Sequence, residues 1–258
     1  MKVIMTVLLI SFLLCSCTPK TDFSALYTSA EYERIVEESE LILHEDLDLD
    51  VLYYRMMSQF RLGAIDDSLI SARLYAACRD TYSDQKTRDA LRIMLFYAEP
   101  SESCYAGKKL SSRFTISAAE ALVYFSSLMK TERYDEADKL YSSQRPNLTD
   151  RQAVLMLLGG RASSESILSE IKKWSNAIDE DNEFDRALVS AIRLFNERGE
   201  GKMLLDLALA RYDSSKDELA LAIGDIYFTE GDAGRARSYW SNAYDTFSDE
   251  VKARLTYL

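Results

Sequence analysis

Residues 217–250 read DELALAIGDIYFTEGDAGRARSYWSNAYDTFSDE. Counted from Asp217 as position 1, Gly224 falls at position 8, Tyr227 at 11, Gly231 at 15, Ala236 at 20, Trp240 at 24 and Ala243 at 27. The segment is helix-compatible on both sides of Gly231, and a glycine there serves a turn between two helices. Working outward, the whole chain reads as helix. Its 258 residues include 34 Leu and 26 Ala but only 8 Val, 9 Gly and 3 Pro. Leu and Ala favour helices and the β-branched strand formers are scarce. A sandwich or barrel needs turn residues every ~8–12 residues, more than so few Gly and Pro supply.

The offsets in 217–250 resemble the tetratricopeptide repeat: a small residue at 8, an aromatic at 11, Ala at 20, an aromatic at 24 and Ala at 27. The Pro usual at position 32 is absent, and Ser248 stands there. The resemblance implies a helical hairpin. Its helices A and B cross most closely at positions 8 and 20, where small side chains let the backbones approach. Large residues at 11 and 24 fill the space between hairpins. Weaker copies lie in phase. Residues 131–141 place Tyr134 at 17, Ala137 at 20 and Tyr141 at 24. Residues 62–72 place Gly63 at 15 and Ser68 at 20, and residues 29–35 place Tyr32 at 17. The position-17 residues 32, 65, 134 and 233 are separated by close to whole repeats. Pro100, Gly159, Gly160, Gly199 and Gly201 break the remaining helical runs.

These signals predict an all-α fold, a tetratricopeptide-like right-handed superhelix of about seven antiparallel hairpins. They fall at about 22–45, 49–80, 84–112, 114–146, 149–178, 181–213 and 215–247, with a capping helix at 248–258. Helices are expected to start at Thr149, Asp181 and Ser214/Ser215. The repeat-signature packing residues are Gly224, Tyr227, Ala236, Trp240, Ala243, Ala137 and Tyr141. Residues 22–258 read as one solenoid domain, stabilised between neighbouring repeats rather than around one central core.

Residues 1–17, MKVIMTVLLISFLLCSC, are a leader. The apolar run 3–14 is shorter than the ~20 residues of a spanning helix and suits a secretory signal. Leu14-Cys15-Ser16-Cys17 resembles the bacterial lipobox. The resemblance implies cleavage of 1–16, lipid attachment at Cys17, and a short linker over 17–21. Thr18 at the next position leans toward the outer membrane, facing the periplasm. Loss of Lys2 with the leader takes the net charge from −11 to −12. An acidic chain gains nothing from anionic head groups, so the membrane is a partner through the acyl chains. Cys78 and Cys104 are expected to be free, buried thiols.

Catalytic and cofactor motifs are scarce. His44 is the single histidine, so a His-dependent triad would have to use it, and it sits among acidic residues at an expected helix end. No CxxC pair, GxxxxGK loop or GxGxxG occurs, and no cofactor or metal is expected. Asp46, Asp48 and Asp50 alternate like a calcium loop, but Val51 occupies the glycine position and Met57 the glutamate position. They read as turn and capping residues. The negative charge argues against nucleic acid. Residues 31–50 hold nine carboxylates against Arg34 alone.

The tetratricopeptide resemblance implies a concave face lined by helix A positions 2, 5, 9, 12 and 13. Carried onto this sequence, these include Tyr53, Met57, Phe60 and Arg61, then Leu122, Met129 and Lys130, and then Leu221, Asp225 and Phe228. Several are large and apolar for a face that meets water, which marks a binding surface. A superhelix closed on itself would instead bury them. The resulting expectation is a lipid-anchored scaffold that binds a protein or peptide, in envelope assembly, secretion or transport. A carrier of a small hydrophobic ligand is the alternative class, and a helical envelope hydrolase a more remote one.

Overall fold

The computed structural model describes residues 21–177 and 182–258, and these are helical throughout their regular structure. The leader, the lipobox and Cys17 lie outside the described residues, as does Asp181. Fifteen α-helices follow in order. They are α1 (Phe23–Thr28), α2 (Tyr32–Glu45), α3 (Leu49–Arg61), α4 (Ile65–Cys78), α5 (Gln85–Tyr97), α6 (Pro100–Arg113), α7 (Ala118–Lys130) and α8 (Tyr134–Gln144). After a 3-10 turn at Arg145–Asn147 come α9 (Asp150–Leu158), α10 (Ser164–Ser175) and α11 (Asn182–Glu197). A second 3-10 turn, Gly201–Leu204, precedes α12 (Leu205–Arg211), α13 (Asp217–Thr229), α14 (Ala233–Asn242) and α15 (Ser248–Leu255). Among the described residues no helix is long and apolar enough to cross a membrane.

The repeat phase is visible in the helix starts. The four position-17 residues, Tyr32, Ile65, Tyr134 and Ala233, are each the first residue of a helix B. Three residues further on, at position 20, stand Ile35, Ser68, Ala137 and Ala236, all wholly buried. Position 20 is thus where helix B meets helix A. In α13 and α14 the crossing is closest. A methyl group added at Gly224 would overlap the Trp240 indole and lie 3.1 Å from the Ala236 carbonyl oxygen. Ser68 makes the same crossing with a hydroxyl, donating to the Met56 carbonyl oxygen at 3.0 Å. The buried hydroxyl therefore keeps a partner where Ala would need none.

The turn between helices A and B repeats one hydrogen-bond pattern. The N–H of Gly231 donates to the Phe228 carbonyl and that of Asp232 to the Tyr227 carbonyl. Gly63 and Ala64 do the same to Phe60 and Gln59, and Glu132 and Arg133 to Met129 and Leu128. This is the Schellman closure, which puts its central residue in the left-handed region. Gly63, Gly199 and Gly231 have φ of 77°, 73° and 81°, and the corresponding Ala30 and Glu132 adopt 60° and 59° without being glycine.

The chain divides into two compact units. One comprises 1–98 with 112–114, and the other 99–111 with 115–258. In the first, Phe23, Ile35 and Val51 form an apolar cluster beneath α1 to α3. In the second, an apolar core runs from Val154 to Val251. There α9 packs on α7, α11 on α9 and α13 on α11, so the helices A form one layer.

Three local expectations are corrected. Helix α13 starts one residue after Lys216, which offers no side-chain cap; the Ser215 N–H is instead turned back onto Asp213 at 2.8 Å. The second half of the hairpin expected at 181–213 is not one continuous helix: Gly201 opens a 3-10 turn, next to Asn196 and Ile226, before α12 begins at Leu205. Cys104 is buried, but Cys78 is exposed at the last turn of α4. Thr149 does cap α9, in a reciprocal box with Gln152.

Candidate binding groove

Helices α3 and α5 lie side by side in the first unit, and the residues between them are paired in register. Lys86 donates to Asp50 at 2.7 Å, and the Tyr53 hydroxyl donates to Asp89 at 3.0 Å. Both pairs are separated by 36 residues. The Lys86 ammonium also sits 5.1 Å from the Tyr53 ring centre and 5.3 Å from that of Tyr54. Burial, and then the neighbouring Asp89 carboxylate, push the Tyr53 hydroxyl far above its ordinary range, so it remains a donor. Asp50 is thereby an ion-pair partner, and Asp48 caps α3 by accepting from the Asp50 and Val51 N–H groups. Asp48 is therefore the cap expected of it, whereas Asp50 is not a cap but the partner of Lys86.

One turn further along, the polar pairs give way to a hollow of about 300 Å³. Met57 and Phe60 line it from α3, and Asp89, Arg92, Ile93, Phe96 and Tyr97 from α5. Phe60 and Tyr97 meet edge to face with ring centres 5.7 Å apart. Phe96 remains 38% exposed and Tyr97 48%, so the rings at the rim meet solvent. Arg61 lies beyond them, with its Nε toward the Tyr27 hydroxyl at 3.4 Å. The result is an apolar depression with polar groups at its edge, of the size that receives one side chain or small apolar group.

Sequence reasoning reached the α3 wall and not the α5 wall. Repeat positions counted from Asp84, which puts Pro100 at position 17, select Arg92 and Phe96. The 36-residue stagger moves Asp89, Ile93 and Tyr97 one place past the expected positions. Among the other expected groove residues, Leu122 and Met129 of α7 are half-buried and Lys130 is exposed. Phe228 of α13 is 40% exposed and leans on Trp240, with ring centres 5.5 Å apart. Leu221 is buried. Asp225 does not face a groove. It accepts from Trp240 Nε1 at 3.0 Å and from Arg254 of the capping helix at 2.7 and 2.9 Å.

The signature residues lie where close packing requires. Gly224, Ala236, Ala243 and Ala137 are buried, and Trp240 is buried against Gly224. Tyr227 stacks on Tyr239 at 5.5 Å. Tyr141 packs against the core of the second unit. Among the described residues no group of three or more His, Cys, Asp or Glu is arranged to hold a metal.

No protein-family model matches the chain. No curated protein matches it either. Among solved structures, a tetratricopeptide repeat protein from Parabacteroides merdae ATCC 43184 is similar, with 12% identity and a TM-score of 0.45 over 87% of this chain and 96% of that one. The assignment as an all-α array of tetratricopeptide-like hairpins rests on the helix order, the position-20 crossings and the repeated turns described above.

Proposed function

We propose that this protein is a non-catalytic, lipid-anchored envelope scaffold. It binds a protein or peptide partner through the helix-A face of a single tetratricopeptide-like solenoid over 22–258. The observation that carries this reading is the hollow between α3 and α5. An apolar depression with half-exposed Phe96 and Tyr97 at its rim costs solvation while empty, and it suits one anchoring side chain of a partner. The paired polar residues above it fix the spacing of the two helices, so the hollow exists before binding.

Three experiments test the proposal. Phe60→Ala with Phe96→Ala should weaken capture of the partner at least about tenfold while leaving the helical circular dichroism unchanged. Undiminished capture would remove the groove from the proposal. Native mass spectrometry of the purified chain discriminates the carrier class, because a small hydrophobic molecule held in the hollow would favour that alternative. For the anchor, Cys17→Ala should abolish lipid labelling and release the exported protein from membranes. Persistence at the membrane without a lipid label would overturn the lipobox reading.

A further inference from the structure

We infer that the arginine stripe of α11 docks helix α2 of a second copy of this chain. Helix α11 is divided into two faces. Phe184, Ala187, Leu188, Ala191, Ile192 and Phe195 are buried, while Arg186, Ser190 and Arg193 are exposed at spacing i, i+4 and i+7. No carboxylate pairs with Arg186 or Arg193 among the described residues, although the chain carries 42 Asp and Glu against 31 Lys and Arg. Many of the other arginines are engaged. Arg145, Arg151, Arg211 and Arg254, for example, each hold a carboxylate. Two exposed cations without a carboxylate partner among the described residues, on an acidic protein, point to an acidic occupant.

The molecule carries a helix that matches. On α2, Ile35 and Ser39 are buried, while Glu33, Glu37 and Glu40 are exposed at the same i, i+4, i+7 spacing. At about 1.5 Å per residue, the outer groups of both stripes are about 10.5 Å apart. Arg34 does not neutralise the α2 stripe, because Glu38 at 2.6 Å and Glu31 at 3.1 Å hold it. Laid antiparallel, Glu40 meets Arg186 and Glu33 meets Arg193, with Glu37 beside the Ser190 hydroxyl. Antiparallel placement also opposes the two helix dipoles. Leu41, next to Glu40, is 70% exposed and adds apolar surface to the contact. The contact is heterologous, since each copy donates one α2 and accepts one.

Sedimentation of the full chain in detergent tests the inference. The mass is expected to rise with protein concentration at about 50 mM salt and to return to that of one chain at about 500 mM. Arg186→Glu with Arg193→Glu should weaken association at least about tenfold, as should Glu33→Lys with Glu40→Lys. The milder pair Arg186→Gln with Arg193→Gln should weaken it in the same direction with less risk to the fold. An equimolar mixture of the two charge-reversed chains should associate again, because each carries the complement of the other. A wild-type chain that stays single at every concentration, an association indifferent to salt, or a mixture that fails to associate would each overturn it. None of these outcomes depends on the α3–α5 groove, whose own test uses Phe60 and Phe96.

Discussion

At the residue scale, the left-handed turn position separates what is readable from what is not. Gly63 and Gly231 announce their turns, because a glycine between helical runs has a conformational reason to be there. Ala30 and Glu132 hold the same backbone conformation and give no such signal. The position was legible only through the phase of Tyr32 and Tyr134 two residues later. The left-handed conformation costs about 1 kcal/mol for a residue with a Cβ. Glu132→Gly should therefore raise stability by about 0.5–1 kcal/mol, net of the entropy glycine adds to the unfolded chain. Gly231→Ala should lower stability by about 1 kcal/mol, since open space surrounds the added methyl and only φ opposes it. Thermal melts of the two variants should shift in opposite directions, and a shift of the same sign in both would contradict this account of the turn.

A second residue-scale prediction concerns Glu170 of α10. Burial pushes its carboxyl up, but Arg145 at 2.5 Å and Lys173 at 2.9 Å outweigh that and hold it below the usual glutamate range. A carboxylate lowered in the folded state stabilises the fold above its unfolded pKa of about 4.3, and that stability disappears as pH falls through the lower folded value. Glu170→Gln should cost about 1–3 kcal/mol at pH 7. The gap between wild type and variant should narrow below pH 4. Urea melts at pH 7 and pH 3.5 measure it, and a gap constant across that range would contradict the assignment. Sequence alone could not single out Glu170 among 42 acidic residues, because its partner Arg145 is 25 residues away.

At the scale of elements, the hairpins were legible because their signals are local. Apolar periodicity, the Thr149 cap and Pro100 each act within a turn or two. Helix breaks inside a hairpin were harder. Gly201 marks a break in the sequence, but the 3-10 turn at Gly201–Leu204 lies against Ile226 of α13, a tertiary contact that local signals do not show. The α5 wall of the groove was missed for a similar reason. The Asp50–Lys86 and Tyr53–Asp89 pairs set a 36-residue stagger that no single repeat contains. The crossing of α13 and α14 gives a direct element-scale test. Gly224→Val must displace Trp240, which is buried and hydrogen-bonded to Asp225. It should cost about 2–4 kcal/mol, while Ala236→Gly at the facing position should cost about 1 kcal/mol. Equal losses in a denaturation series would mean that the helices do not cross there.

At the scale of the molecule, charge and apolar surface are distributed unevenly. The acidic excess lies in residues 31–50, close in sequence to the expected lipid tether, and Arg186 and Arg193, without a carboxylate partner among the described residues, lie on α11. An apolar hollow opens between α3 and α5. Repeat phase predicted which helix faces would carry such features, since positions 9 and 12 of helix A fall at Met57 and Phe60. It could not predict which stretch of that face would be hollow. In α13 the corresponding positions are Asp225, taken by Arg254, and Phe228, leaning on Trp240. The most direct measurement is site-specific photocrosslinking in the native envelope, with a photoreactive residue at Tyr97 in the hollow or at Tyr244, exposed just after α14 in the second unit. A scaffold that binds through the groove should give a discrete crosslinked partner from position 97, none from position 244, and loss of the product when Phe60→Asp is added. Equal crosslinking from both positions, or a position-97 product untouched by Phe60→Asp, would contradict it.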